Sequence, residues 1–402
     1  METNSSNPSK RVFRLGLLPR IIIAIISGIC LGHIVPDFII CGFNTFNGLF
    51  DQLLKFLIPL IILGLVTPAI ADIGKNAGRM LYITAFISYV ATILAGFMAY
   101  GCSITLFPPL IDNSLTASLQ DTGGGIAPIF TIKIPPVMEV MTALVFSFMA
   151  GLGIATSKST ALKRGFNEFK EIITKAISNV IIPLLPIFIF GLFLDMTASR
   201  KVSVILTAFI QIIGIIFLLT FAMLLFQYTI AGLITRRNPF KLLVNMLPAY
   251  FTALGTSSSA ATIPVTLKQT LRNGVSPEIA GFVVPLCATI HLSGSTLKIV
   301  SCAVALMLMQ GMPFDIMQFT GFILMLGITM VAAPGVPGGA IMAALGILNT
   351  ILGFDAEQQA MMVTLYVAMD SFGTACNVTG DGAIALIMNV IAKNQISTEI
   401  KT

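Results

Sequence analysis

Apolar residues fall in blocks of membrane length along the first 240 positions, and strict alternation of apolar and polar residues is absent. That pattern predicts spanning helices over 16–36, 46–71, 80–108, 137–156, 172–195 and 203–235. Beyond 240 the apolar pieces become too short to span. "LVNMLPAYFTALG" is followed by "TSSSAATIP" and a short piece ending near Arg272, which predicts a hairpin over 243–272. A longer segment, 278–310, is broken in its middle by "TIHLSGST". The order then recurs: "FTGFILMLGITMV", a tip "AAPGVPGGA", a return to about Phe354 (a second hairpin, 315–354), and a long segment carrying "MDSFGTACNVTGD".

Hairpin, broken helix, hairpin and polar-striped helix make one plan used twice, and the odd number of helices between the two units predicts that they are inverted. Short Gly/Pro-interrupted segments in corresponding positions point to a solute site in the middle of a membrane carrier. The alternative of two merely kinked helices is disfavoured because nearly every buried polar residue clusters in these four pieces.

The composition excludes a soluble globular chain: 56% of residues are hydrophobic and 10% charged, and mean hydropathy is +0.95. Ten-residue alternating strands of a membrane barrel are missing. The net charge of +6 does not indicate nucleic acid, because the basic residues lie in short connections. Lys158, Lys163, Arg164, Lys170 and Lys175, with Arg236, Arg237 and Lys241, fall on the N-terminal side of the spans; only Lys133, Arg200 and Lys201 fall opposite. This predicts cytoplasmic termini. Lys10, Arg11, Arg14 and Arg20 before "IIIAIISGICLG" read as the inner flank of an uncleaved first helix. Six cysteines without Cys-x-x-Cys spacing read as packing thiols.

All but two of the seventeen acidic residues lie in loops, tails or near segment ends. Asp370 and Asp381 stand deep in an apolar helix, where a carboxylate costs about 2.5–3.5 kcal/mol on insertion scales and needs a partner or a wet cavity. At about 100° per residue, Asp370, Thr374, Asn377 and Asp381 share one stripe about 16 Å long. Asn377 and Asp381, with backbone carbonyls of 287–291, suit a small hard cation such as Na⁺. Asp370 is left for a cationic group, most simply an α-ammonium. Small residues at "SSS" and "PGVPGG" allow half-helix N-termini that attract a carboxylate. Amine and carboxylate together describe an amino acid. His291 reads as a packing residue or a proton carrier, and Lys298, too deep to snorkel, as the partner of an acid or a built-in cation replacing a transported one.

At these residues the chain resembles the dicarboxylate/amino acid:cation symporter family, the prokaryotic glutamate transporter homologues: "SSSAATIPVT", "PLCATIHLSGST", "APGVPGGAIM" and "MDSFGTACNVTGD" follow in its order and spacing. The resemblance implies an all-α polytopic membrane protein over 1–402 with eight transmembrane helices and two re-entrant hairpins as inverted repeats. It implies a homotrimer in the bacterial inner membrane, with a scaffold mainly from 46–71 and 137–195. A transport region from 80–108 and 203–393 would move as an elevator. It further implies that Asp370 takes the substrate amino group, and that Ser258, Ser259, Thr374 and Asn377, with the second hairpin's tip at Val336 and Gly338, contact substrate. One sodium site would use Asn377, Asp381 and carbonyls near Cys287 and His291, and a second Thr289 with backbone at Met330, Val331 and Ala333. A third would start from Tyr89 and Thr92.

Three departures modify the expectation. Ser293 stands where the third sodium site expects a carboxylate. Gly373 replaces the arginine that clamps acidic side chains, leaving space there, and Lys298 takes an expectedly uncharged position. The sequence therefore points to a carrier, not an enzyme, coupling Na⁺ to uptake of a small neutral amino acid such as serine, threonine or alanine, without a cofactor. An acidic or dicarboxylate substrate, with Lys298 or His291 supplying positive charge, is the alternative, as is proton coupling. An intramembrane aspartyl protease is disfavoured because its carboxylates must face each other from different helices.

Overall fold

The computed structural model describes residues 17–75, 79–111, 127–157, 160–199, 202–331, 333 and 338–399. The described chain is almost entirely helical, and six of its helices are long and apolar enough to cross a membrane. It is a polytopic membrane protein.

The N-terminal part consists of α1 (Leu17–Gly32), α2 (Asp37–Lys75), α3 (Arg79–Leu106), α4 (Val140–Thr156), α5 (Thr160–Ala176), α6 (Ile182–Ala198) and α7 (Val202–Thr235). Helices α5 and α6 form one rod, joined by a π-helical turn over Ile177–Ile181. Pro183, in the first turn of α6, cannot donate to the ladder and crowds the carbonyl four residues back, which accounts for the widened turn ahead of it. The expected span 172–195 is thus the second half of a longer helix. The basic residues Lys163, Arg164, Lys170 and Lys175 lie on α5, not in a loop. Likewise 46–71 is only part of α2. Asp51 lies well inside that helix, buried and paired with Lys55 at 2.8 Å, so it joins Asp370 and Asp381 as a third buried acid among the described residues.

The C-terminal part repeats one plan. Helices α8 (Pro239–Thr256) and α9 (Ser259–Arg272) form the first hairpin, and α10 (Pro277–Ile290) and α11 (Ser293–Met309) are a helix broken at His291 and Leu292. Helices α12 (Ile316–Val331) and α13 (Gly339–Leu352) form the second hairpin. The last long segment is also broken, at Met369, into α14 (Ala356–Ala368) and α15 (Asp370–Glu399). The polar stripe therefore begins at a helix's first residue, which the periodicity alone does not reveal. The first hairpin starts four residues earlier than the pattern predicts, where Asn238 caps α8 by accepting from the N–H groups of Phe240 and Lys241.

Helix packing separates the chain into two groups. Helix α1 packs on α6, and α2 on α4, α5 and α6. Helix α3 packs instead on α11 and α12, while α7, α8, α9, α10 and α11 surround α15. Between the groups, α13 touches α2 and α4, and α14 touches α1 and α6. A cleft of about 790 Å³ opens where α2 meets α13, lined by Gln52, Lys55, Lys133, Asn349 and Gln359.

The base of the first hairpin is tied by Asn273, which is fully buried. Its amide donates to the Leu242 carbonyl at 3.0 Å and its oxygen accepts from Asn245 at 2.8 Å, while Arg237 reaches its backbone carbonyl. Replacing Asn273 by Leu removes both of these side-chain bonds, leaving the part-buried Asn245 amide without this partner and the Leu242 carbonyl with only its bond inside α8, at a cost of about 0.5–1.5 kcal/mol for each bond lost. A melt of the purified variant in detergent is expected to show a clearly lowered Tm; an unchanged Tm would rule out this tie.

Candidate functional site

Because α9, α11, α13 and α15 all start in the middle of the C-terminal bundle, four helix N-termini converge on one region. Each leaves backbone N–H groups that the helix itself cannot satisfy. Side chains of the polar stripe take two of them. Asn377 Oδ1 accepts from the N–H of Gly294 at 2.7 Å and of Ser295 at 3.4 Å, at the start of α11. Asp370 Oδ2 accepts from the N–H of Gly338 at 2.9 Å, just before α13. Asp370 is itself the first residue of α15, where the helix dipole favours negative charge.

These elements enclose a cavity of about 30 Å³ whose wall includes Ser257, Ser259, Thr289, Ser295, Ala333, Tyr366, Asp370, Thr374 and Asn377. Asp370, Thr374 and Asn377 thus meet in one place, with Thr289 and Ala333 of the expected second sodium site beside them. Met330 and Val331 end α12, where the Met330 carbonyl accepts from the Ala333 N–H at 3.2 Å. Val336 lies outside the described residues.

Two expectations about the hairpin tips and the stripe are corrected. Ser258 turns away to cap α9, accepting from the Ala261 N–H at 3.3 Å, so the wall serines are Ser257 and Ser259. Ser257 adopts left-handed backbone (φ 49°) and its hydroxyl meets that of Ser371 at 2.7 Å, fixing the hairpin to α15. Gly373, expected to leave space, leaves none: a Cβ there would collide with Cε and Nζ of Lys298. The glycine is the room in which the lysine lies.

Lys298 is fully buried. Its ammonium lies 3.6 Å from Asp370 Oδ1, donates to the Met369 carbonyl at 3.2 Å, and sits 3.8 Å above the Tyr366 ring. The tyrosine is held in turn by its hydroxyl, 3.0 Å from Ser295 Oγ. The ammonium thus lies beside an acid, a placement that both of its expected roles require.

Asp381 engages a different partner. Its Oδ1 lies 2.9 Å from His291 Nδ1, both side chains buried, and the other ring nitrogen meets the Gln227 amide at 3.3 Å. Gly380 makes this possible, because a Cβ there would lie 2.6 Å from the imidazole. The amide nitrogen of Gln227 also reaches Ser293 Oγ at 3.1 Å, while its Oε1 is buried without a hydrogen-bond partner among the described residues. A cation bound by Asp381 shares that carboxylate with His291. The cation would also find the Asn377 oxygen committed to backbone N–H groups, and the Cys287 carbonyl accepting from the His291 N–H. The expected third site is not drawn together: the Tyr89 hydroxyl donates to Leu324, Thr92 bonds its own helix at Ser88, and Ser293 faces Gln227.

Sequence reasoning missed Ser257, Tyr366, Gln227 and Ser371. Ser257 was signalled by its place in the serine run. The other three carry no local signal, since only tertiary packing brings them to the stripe. Asp370 and Asp381 lie on one helix with separate partners and do not form a facing acid pair.

The chain matches the model of the sodium:dicarboxylate symporter family over residues 17–391. It is also similar to the serine/threonine transporter SstT from three strains of Acinetobacter baumannii. Each is 27% identical over 382 residues, covering 92% of this chain and 95% of the relative. A family match along almost the whole chain agrees with its bundle of interrupted helices and its buried polar stripe: the chain belongs to the sodium:dicarboxylate symporter family, whose members are transporters and not enzymes.

Proposed function

We propose that this symporter carries a small neutral amino acid, serine or threonine first, into the cell on a sodium gradient. The observation that carries the reading is Asp370, an acid in the wall of a cavity on which four helix N-termini converge. Its carboxylate suits the solute's ammonium, and the N–H groups at the starts of α9 and α13 suit its carboxylate. Thr374 and the serines Ser257 and Ser259 supply hydroxyl-sized polar contacts for a short side chain. The lack of a cation at 373 favours a neutral solute over an acidic one. The relatives' printed name, serine/threonine transporter, supports the same choice.

In this reading the chain spans a bacterial cell membrane eight times, with cytoplasmic termini and two re-entrant hairpins, and assembles as a trimer. Helices α1, α2 and α4 to α6 form the scaffold. The bundle around α15, with α3, moves as the elevator past the cleft between α2 and α13. Sodium binds through Asp381, with Thr289 and the end of α12 as a second position. A proton in place of that sodium is the second reading, and the contact between His291 and Asp381 is the observation behind it.

Uptake of radiolabelled serine into proteoliposomes tests this directly. An inward sodium gradient is expected to drive accumulation of serine and threonine in preference to aspartate. Accumulation on a pH gradient without sodium would select the second reading, and no gradient-driven uptake of any amino acid would overturn both. Asp370→Asn is expected to weaken serine binding at least about thirtyfold, the low end for removing one member of a buried charge pair. Asp381→Asn is expected to abolish the sodium dependence of binding, read as the shift in serine-induced melting with and without Na⁺. Unchanged sodium dependence would remove Asp381 from the ion site.

A further inference from the structure

We propose that Lys298 is a resident counter-cation for Asp370 that acts in the solute-free half of the transport cycle, so that the carrier returns across the membrane without a transported cation in exchange. The proposal rests on the reading of the chain as a symporter in which Asp370 receives the solute's ammonium.

The placement of the ammonium separates this role from solute binding. Asp370 lines the cavity; Lys298 does not, and lies fully buried behind it. A side chain in that position does not clamp the solute. It meets the carboxylate without lining the cavity. Two of its three partners, the Met369 carbonyl at 3.2 Å and the Tyr366 ring at 3.8 Å, hold it independently of Asp370, and the distance to Asp370 Oδ1 is the longest of the polar contacts at 3.6 Å. The Met369 carbonyl lies at the C-terminal end of α14, where the helix dipole favours a cation. The lysine therefore has a seat of its own, and a solute ammonium on the cavity side of Asp370 does not have to evict it.

The consequence concerns charge. A lone carboxylate moved through the middle of a bilayer is costly, and a carboxylate with a fixed cation beside it is far less so. With solute bound, Asp370 has two cationic neighbours. With solute released, one remains, and the pair carries no net charge. Without the lysine the emptied site would carry a carboxylate with no cation beside it. The seat depends on a matching residue across the interface: Gly373 on α15 is the position whose missing side chain gives the ammonium its room.

Exchange and net uptake separate the two halves of the cycle. In proteoliposomes with serine on both sides the carrier crosses loaded in both directions. With serine outside only, it must return without solute. In Lys298→Met and Lys298→Gln, the ratio of net uptake to exchange is expected to fall by about a hundredfold, as for a buried carboxylate stripped of its partner. Lys298→Arg is expected to preserve the ratio more than either. A purely structural role would lower both rates together, and an unchanged ratio in variants that still exchange would overturn the proposal. The wild type gives an independent arm: its net uptake is expected to be the same with potassium or choline in the lumen, and a requirement for luminal potassium would also overturn it. Absence of wild-type serine exchange would instead overturn the functional reading on which the proposal rests.

Discussion

A helix that stops inside an apolar bundle leaves N–H and carbonyl groups that water cannot reach, and every such end must be answered by protein or solute. This chain stops its helices repeatedly at one level, and the polar residues there are the answers. Asn377 satisfies the start of α11 and Asp370 the start of α13, while Lys298 sits on the end of α14. The bonds that stabilise the broken helices are thus the same bonds that make a recognition site. A variant that removes one loses a cap as well as a contact, which is why the ratio of two transport modes is more informative than the loss of one.

The same constraint explains what was legible in the sequence. Periodicity places Asp370, Thr374, Asn377 and Asp381 on one stripe because a helix face is a local property, and the structure keeps them on α15. Glycine, proline and serine clusters mark the hairpin tips and the break at His291 for the same reason. The break at Met369 carries no such punctuation: the residues before it, "LYVAM", read as an uninterrupted helix, and the interruption is stabilised by contacts from elsewhere, including Lys298. Ser258 was misassigned by one position, because which serine of three caps a helix and which two face the cavity depends on a left-handed residue at 257. Tyr366 and Gln227 were invisible because their roles are set by distant elements meeting.

Both acids of the stripe are compensated from the neighbouring broken helix, Asp370 by Lys298 on α11 and Asp381 by His291 at the break before it. The second compensation differs in kind. A lysine ammonium is a compact charge on a long stem that can sit behind its acid, whereas an imidazole is short and occupies the carboxylate's own face, where a cation would bind. Asp370 therefore keeps a side free for the cavity, and Asp381 shares its face with a ring. One acid is arranged to receive a charged group alongside its partner, the other in competition with it.

Gly373 and Lys298 looked like independent departures in the sequence, one removing a positive charge from α15 and the other adding one to α11. In the folded protein they are one packing solution. The lysine can lie behind Asp370 only because residue 373 has no side chain, and a larger residue at 373 would push the ammonium out of its contact with Asp370, Met369 and the Tyr366 ring. The positive charge has in effect moved from the solute's side of the site to the acid's far side. In the proposed site it does not reach a solute side chain there, as expected for a carrier of neutral solutes, while it lies beside the Asp370 carboxylate. In the proposed cycle specificity and charge balance are set together, so a substitution at 373 intended to change the solute is also expected to disturb the return of the carrier.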